Sequence, residues 1–89
     1  MPTFEDDDAG YLRWLQRHPN GYVLNYKRPP DPTNLKVHHA VCVHINGTPH
    51  RGDYWTVLYG KFCSDSRREV ETQARRLGGE PLLCETCFG

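Results

Sequence analysis

The first strong pattern of apolar positions lies near the N-terminus of the chain. In "DDDAGYLRWLQRHPNG", residues 6–21, apolar side chains recur near helical spacing at Tyr11, Leu12, Trp14 and Leu15. The acidic residues before them suit the positive end of a helix dipole. Pro19 and the Asn20-Gly21 pair are typical of a helix end. This pattern predicts a short N-terminal helix.

Three segments rich in β-branched and aromatic residues follow the helix. They are "YVLNY" (22–26), "LKVHH" (35–39) and "YWTVLYGKF" (54–62), and we expect each to be a strand, with a bulge at Gly60. Residues 27–34, "KRPPDPTN", hold three prolines and predict a loop. Residues 44–53 are rich in turn-forming residues. The three strands predict a small, mostly antiparallel sheet.

A second helix is predicted by "SDSRREVETQARRLGG", residues 64–79. Ser66 and Glu69 have the spacing of a capping box. Val70, Ala74 and Leu77 are expected to form one buried stripe. The Gly78-Gly79 pair is expected to form the helix C-cap. The chain is therefore predicted to form one α+β domain over residues 1–89, with a three-stranded sheet and two helices.

Chain length and cysteine content add a constraint to this fold. A chain of 89 residues can build one modest core, and such small domains often need a disulfide or a metal as a staple. Four cysteines and five histidines allow either. No apolar run approaches the roughly 20 residues of a membrane span, so no membrane partner is expected. The acidic start lacks the features of a secretory signal, which favours the cytoplasm, where paired cysteines usually bind metal or do redox chemistry.

Cys84-x2-Cys87 has the spacing of a zinc chelate, and tetrahedral zinc needs two further ligands. The best candidates are His38 and Cys42, in an H-x3-C arrangement, and the alternatives are His39, His44 and Cys63. Neighbouring residues on a strand face opposite ways, so only one of His38 and His39 should reach the site. The competing interpretations of the pair are buried free thiols and a thioredoxin-like redox pair, which normally opens a helix.

A family resemblance extends this reading of the cysteines. "VHHAVC" and "FCSDSRREVETQARRLGGEPLLCETC", about residues 36–88, resemble the Ada-type zinc-binding domain of bacterial DNA-repair proteins and related small nuclease-associated zinc modules. The resemblance implies a bacterial protein with one structural zinc ion on His38, Cys42, Cys84 and Cys87. It leaves the N-terminal helix and strand, residues 5–26, outside the zinc-binding part.

One position departs from that family in a way that changes its chemistry. The repair proteins have a cysteine where this chain has His38, and that zinc-bound thiolate accepts a methyl group from a DNA phosphotriester. An imidazole cannot accept the methyl group in that way. The resemblance therefore implies a metal site without methyl-transfer activity, and no catalytic residue is expected.

Charge is distributed unevenly along the chain. Four acidic residues fall in residues 5–8, whereas after residue 10 eleven basic residues face seven acidic ones, an excess of +4. A basic body permits an anionic partner. Arginine and lysine suit phosphate contacts, and the candidates for such contacts are Lys27, Arg28, Arg51, Arg67, Arg68, Arg75 and Arg76.

Together these patterns predict a non-catalytic zinc-binding module that binds nucleic acid, with DNA as the expected partner, or guides a partner to it. Two alternatives remain open at this point. One is a protein-interaction module with a purely structural zinc, and the other is an enzyme that depends on the thiol of Cys63 or of the Cys84–Cys87 pair.

Overall fold

The structure, a computed structural model, describes residues 2–46 and 54–88. Within those ranges the chain forms β1 (Thr3–Phe4), α1 (Asp8–Arg17), β2 (Tyr22–Lys27), β3 (Leu35–His39), β4 (Tyr59–Ser64), α2 (Arg67–Arg76), β5 (Leu82–Leu83) and α3 (Glu85–Phe88). The α+β class is confirmed. The sheet and helix counts were too low, because the two-residue strands β1 and β5 and the single turn of α3 are too short to show periodicity.

These strands form one mixed sheet in the order β1-β4-β2-β3-β5. All neighbours pair antiparallel except β3 and β5, which run parallel. The expectation of a mostly antiparallel sheet is therefore confirmed. The central strand β2 pairs along its length with both β3 and β4, so its alternating side chains divide the sheet into two faces.

Each face of the sheet carries its own cluster of buried residues. On the α2 face, Leu24, Val37 and Phe62 pack with Val70 and Ala74 of α2. The opposite face is called the α1 face. There Val23 and Cys63 pack with residues of α1 and with two further cysteines, and these neighbours are Tyr11, Trp14, Leu15, Cys42 and Cys84. The helical apolar positions predicted for α1 and α2 are the ones that meet the sheet.

The third strand begins later than its sequence suggests. Residues 54–58 are not in the sheet, and β4 starts at Tyr59. The reason is that backbone N–H groups of this segment bond outside any ladder: Trp55 N and Thr56 N donate to the Asp8 carboxylate at 2.7 and 2.8 Å. Segment 54–58 therefore crosses over the start of α1 instead of extending the strand.

Gly60 sits at a regular ladder position and not at a bulge. It pairs with Tyr26 in an uninterrupted register that runs from Tyr22↔Ser64 to Lys27↔Tyr59. A Cβ at Gly60 would overlap the Tyr26 ring. The glycine is needed because the aromatic ring lies directly over the backbone of its partner strand.

Candidate metal centre

Four side chains converge at the edge of the α1 face, two from β3 and the turn after it and two from the C-terminal segment. They are His38, Cys42, Cys84 and Cys87, and their ligand atoms all lie within 4.8 Å of one another. The Sγ atoms of Cys42 and Cys84 are 3.9 Å apart. Zinc–sulfur bonds of about 2.3 Å at a tetrahedral angle place two sulfurs about 3.8 Å apart. The cluster is thus close enough to hold a metal ion.

Short local structures bring each of these side chains to the cluster. His38 lies opposite Val23 in the β2–β3 ladder and points to the α1 face. The chain turns after β3, with Cys42 N donating to His39 O at 2.9 Å, which carries Cys42 back beneath the strand end. On the other side, Cys84 N donates to Val37 O at 2.9 Å and so fixes the C-terminal segment beside β3.

The two-residue spacing of Cys84 and Cys87 is closed by one helical turn. Phe88 N donates to Cys84 O at 2.9 Å, which places Cys87 on the same side as Cys84. No helix is predicted at this pair from the sequence, but Glu85–Phe88 forms α3. The redox interpretation expects a helix that starts at such a pair, and here that helix has four residues.

Backbone N–H groups are directed at all three thiols of the cluster. His39 N donates to Cys87 Sγ at 3.3 Å. The backbone of His44 hydrogen-bonds Cys42, and the backbones of Thr86 and Cys87 hydrogen-bond Cys84. Such donors favour the thiolate over the thiol, and thiolate is the form that binds metal.

Burial and these hydrogen bonds act on the pKa values in different directions. Burial raises the pKa of Cys42 to about 12. Burial also opposes ionisation of Cys84, but the N–H groups of Cys87 and Thr86 outweigh it, so the pKa of Cys84 is lowered. Burial, with Lys36, His44 and Lys61 nearby, lowers the pKa of His38 to about 4. The imidazole is therefore neutral at physiological pH, as a metal ligand must be.

The donor set fits a zinc ion on two further grounds. Three sulfurs and one imidazole are a common tetrahedral set for structural zinc. In addition, Nδ1 of His38 is buried and has no hydrogen-bond partner among the described residues. A buried polar atom without a partner costs free energy, and coordination or a bridged contact at this ring offsets that cost.

The alternative ligands lie elsewhere. The His39 ring faces the α2 side, between Tyr22 and Phe88, with ring centroids 5.2 and 4.2 Å away. His44 Nε2 lies 3.0 Å from Thr86 Oγ1. Cys63 is buried across β2 from His38, since both residues pair with Val23 from opposite sides. None of these three belongs to the cluster.

The predicted phosphate-binding residues do not form one surface. Arg67 pairs with Glu71 at 3.2 Å and Arg75 with Glu80 at 3.5 Å, on the helix that covers the α2 face. Lys27 shares the period-2 face of Val23 and Asn25 in β2 and so lies on the α1 face. Arg28 pairs with Asp6 at 3.1 Å. The sheet thus separates Lys27 from the four arginines of α2, two of which are Arg68 and Arg76. Arg51 lies outside the described residues.

A cavity of about 970 Å³ opens on the α1 face beside the cysteine cluster. His38 and Cys84 form one end of it, and its floor carries Lys36, Asn25 and Lys61. Sequence reasoning nominated none of those three residues. The available signal was period-2 alternation, because Lys36 and Lys61 stand two positions before His38 and Cys63 in their strands.

No helix of the described residues is long and apolar enough to cross a bilayer. No model of a protein family matches the chain, and neither the curated proteins nor the solved structures give a significant match. The resemblance to the Ada-type zinc domain therefore stays a prediction from the residues quoted for it.

Proposed function

We propose that this chain is a non-catalytic zinc-binding module that binds nucleic acid and whose zinc is structural. The observation that carries the metal assignment is the closed set of donors at His38, Cys42, Cys84 and Cys87. Four protein ligands satisfy tetrahedral zinc and leave no position for a water or a substrate. The expected role of the ion is to hold the C-terminal segment against β3.

Metal analysis of the purified protein tests this assignment directly. We expect native mass spectrometry to find one zinc per chain, and Cys84→Ser to lose it together with much of the stability. Cys63→Ala is the matched control, because Cys63 is a buried thiol outside the cluster. A folded, metal-free protein whose four cysteines all react with a thiol reagent would overturn the proposal.

Binding to nucleic acid is supported by the positive charge of the body of the chain. Three lysines, Lys27, Lys36 and Lys61, have no carboxylate within ion-pair distance among the described residues, and all three line the cavity on the α1 face. An exposed lysine without an ion pair, as Lys27 and Lys36 are, can neutralise a phosphate and release counterions. Of the four acids near the N-terminus, Glu5 and Asp6 lie against Arg28, and Asp8 acts electrostatically on Lys61. Lys27 and Lys36 make no ion pair with this segment among the described residues.

Salt dependence of binding tests the nucleic-acid part. If about 2–4 phosphates are contacted, the affinity for duplex DNA should fall with salt at a log–log slope near −0.9 per contact, with micromolar or weaker affinity. Binding that is absent for duplex, single-stranded and modified DNA and for RNA at low salt would reject this part and leave the zinc assignment intact.

Exposed apolar side chains favour a second candidate function, a protein-interaction module. Val41 and Val43 flank Cys42 and are 62% and 64% exposed, and Leu82 and Leu83 beside Cys84 are 47% and 39% exposed. Apolar residues around a metal centre are typical of partner-binding surfaces. Binding that is insensitive to salt and abolished by Val43→Ser would support this function. Cys63 gives no support to a thiol enzyme, because burial raises its pKa to about 12.

A further inference from the structure

We infer that the cavity on the α1 face binds one unstacked nucleotide of a single-stranded nucleic acid. This inference rests on the proposed function and specifies the form of nucleic acid and the surface that receives it. It also moves the binding surface away from the arginines of α2, which lie on the other side of the sheet.

The floor of the cavity is built by two rows of side chains across three strands. Asn25 of β2 stands between Lys36 of β3 and Lys61 of β4 in the ladder. The next position along β2 on the same face is Lys27, opposite Tyr59. Cross-strand neighbours have Cβ atoms about 5 Å apart, so these lysines concentrate positive charge within the span of one nucleotide.

One buried polar atom at this floor lacks a hydrogen-bond partner in the described part of the chain, and a buried lysine lies beside it. Oδ1 of Asn25 is buried without a hydrogen-bond partner among the described residues. Lys61 is only 2% exposed, and its Nζ donates to Trp55 O at 2.7 Å, which uses one of its three donors. The floor thus offers an acceptor beside a donor, the pattern that the edge of a nucleobase with an amine and a ring nitrogen or carbonyl can satisfy.

The walls of the cavity supply flat and apolar surface for a base. Tyr54, Trp55, Leu58 and Tyr59 line one side, and Leu82 and Leu83 line the other. Tyr54 and Leu58 are 64% and 71% exposed, so a ligand gains by covering them. Stacking on aromatic side chains is how single-stranded bases are bound without sequence-specific pairing.

Charge and shape together select this ligand class over a duplex. Among the described lining residues, Lys27, Lys36 and Lys61 are cationic and Glu85 is anionic, while the charge of Arg28 is offset by Glu5 and Asp6. The lysines suit phosphate, but Asn25 and Lys61 lie at the floor of a concave site. A paired base keeps its edge inside the helix, so only an unpaired base can reach them.

The test compares labelled single-stranded DNA, single-stranded RNA, the matching duplex and free nucleoside monophosphates, all with the zinc-loaded protein. We expect the single strands to bind more tightly than the duplex by about tenfold or more, as expected for a gained stacking contact. Trp55 fluorescence, isolated in a Trp14→Phe background, should change on binding. Free monophosphates that bind as tightly as the single strands would show a small-nucleotide site and overturn the polymer assignment.

Three variants test whether the nucleotide binds in the cavity. Lys27→Gln with Lys36→Gln should weaken single-strand binding and flatten its log–log salt slope by about 1.4, which is about 0.7 for each lost phosphate contact. Asn25→Leu should weaken it about fivefold or more with little change in the salt slope, because no charge is removed. Arg68→Gln with Arg76→Gln, on α2, is the matched control and should leave binding unchanged. Zinc content and thermal unfolding verify that each variant is folded.

The outcomes separate the two proposals. Loss of binding in the α2 variant with retention in the Lys27/Lys36 variant would keep the proposed function and overturn the cavity. Equal binding of duplex and single strand would also keep the proposed function and overturn the assignment of the cavity. Absence of binding to every nucleic acid would overturn both, whereas the zinc measurement stands apart from either result.

Discussion

Lys61 is a lysine in a place where lysines rarely lie. It is almost fully buried, its Nζ donates to Trp55 O at 2.7 Å, and it lies 5.8 Å from the ring centroids of Tyr11 and Tyr59. Burial is the main reason that its pKa is lowered to about 8 from 10.5. A single side chain therefore links the folding stability to pH in the alkaline range.

The sign of that linkage gives a prediction. Between pH 8 and 10.5 the unfolded chain holds the Lys61 proton and the folded chain has released it, so stability contributed by this residue rises with pH. We expect wild type to gain about 2 kcal/mol relative to Lys61→Met between pH 8 and pH 10. Urea unfolding of both proteins at the two pH values measures the difference. The comparison cancels the titration of the cysteines and tyrosines, and a constant difference would contradict the prediction.

Cys63 tests the boundary of the metal centre. It is fully buried next to Val23, whereas the cluster atoms come from β3, the turn after it and the C-terminal segment. Cys63→Ala should keep one zinc per chain and cost about 1–2 kcal/mol, as a loss of core packing. Loss of zinc from this variant would make Cys63 a ligand and displace one of the four residues assigned above.

At the scale of elements, helix α2 shows a close agreement between sequence and structure at its two ends. Ser66 is the N-cap, with Glu69 N donating to Ser66 Oγ at 3.3 Å. The return bond of a capping box is replaced, since Ser66 N donates to Ser64 Oγ at 3.0 Å. At the other end Gly78 N and Gly79 N donate to Arg75 O and Ala74 O at 3.0 and 3.4 Å, which is a Schellman motif.

The Schellman motif predicts the effect of replacing Gly78. Its φ is +95°, a conformation that side chains with a Cβ rarely adopt, while a Cβ there would meet only Pro32 Cγ at 3.7 Å. The cost of Gly78→Ala is therefore conformational and should be about 1 kcal/mol. Gly78→Asn is the matched control and should cost less, because asparagine tolerates positive φ. Thermal unfolding of the three proteins checks the order, and an alanine variant as stable as wild type would refute it.

The acidic segment before α1 shows how an element can depend on remote contacts. Asp7 caps α1 by accepting from Gly10 N at 2.9 Å, and Asp8 accepts from Trp55 N and Thr56 N. Burial of Asp8 opposes its ionisation, but the hydrogen bonds from Thr56 and Trp55 prevail and lower its pKa. The Asp8 carboxylate holds Trp55 and Thr56 in place, and the segment 54–58 to which they belong forms a wall of the cavity.

At the scale of the whole molecule, the metal centre and the sheet stabilise different parts of the chain. The β2–β4 pair lies between two clusters of buried residues. In contrast, β5 has only two residues, and both are exposed. Cys84 itself is tied to β3 by the backbone hydrogen bond from Cys84 N to Val37 O. The C-terminal segment therefore depends on the proposed ion more than the sheet centre does.

This difference predicts the order in which structure is lost on metal removal. After chelation, amide hydrogen exchange should accelerate first at residues 82–88 and around Cys42, and later at β2 and β4. The cause is that zinc binding free energy, about 10–16 kcal/mol in small peptides, would be removed from the segment that holds Cys84 and Cys87. Exchange that accelerates uniformly over the described residues would instead show that the ion and the sheet unfold as one unit.

The sequence alone was sufficient where the determining interactions are local. The apolar spacing of α1, the Ser66 cap and the Gly78 stop are set within a few residues of where they act, so they could be read directly. The metal cluster could also be anticipated. Ligand chemistry favoured His38 and Cys42 as partners of Cys84 and Cys87 but left His39, His44 and Cys63 open. The family resemblance implied the full set of four.

Tertiary structure decided whatever depends on partners distant in sequence. The start of β4 was misplaced because Asp8, 47 residues from Trp55, takes the N–H groups that a strand would use. The phosphate-binding candidates were drawn from charge alone, and only the sheet shows that Lys27 faces away from α2 and toward Lys36, Asn25 and Lys61. Strand register is set by long-range packing, and a shift of one residue exchanges the two faces, so the cavity floor could not be assembled from the pattern of any single strand.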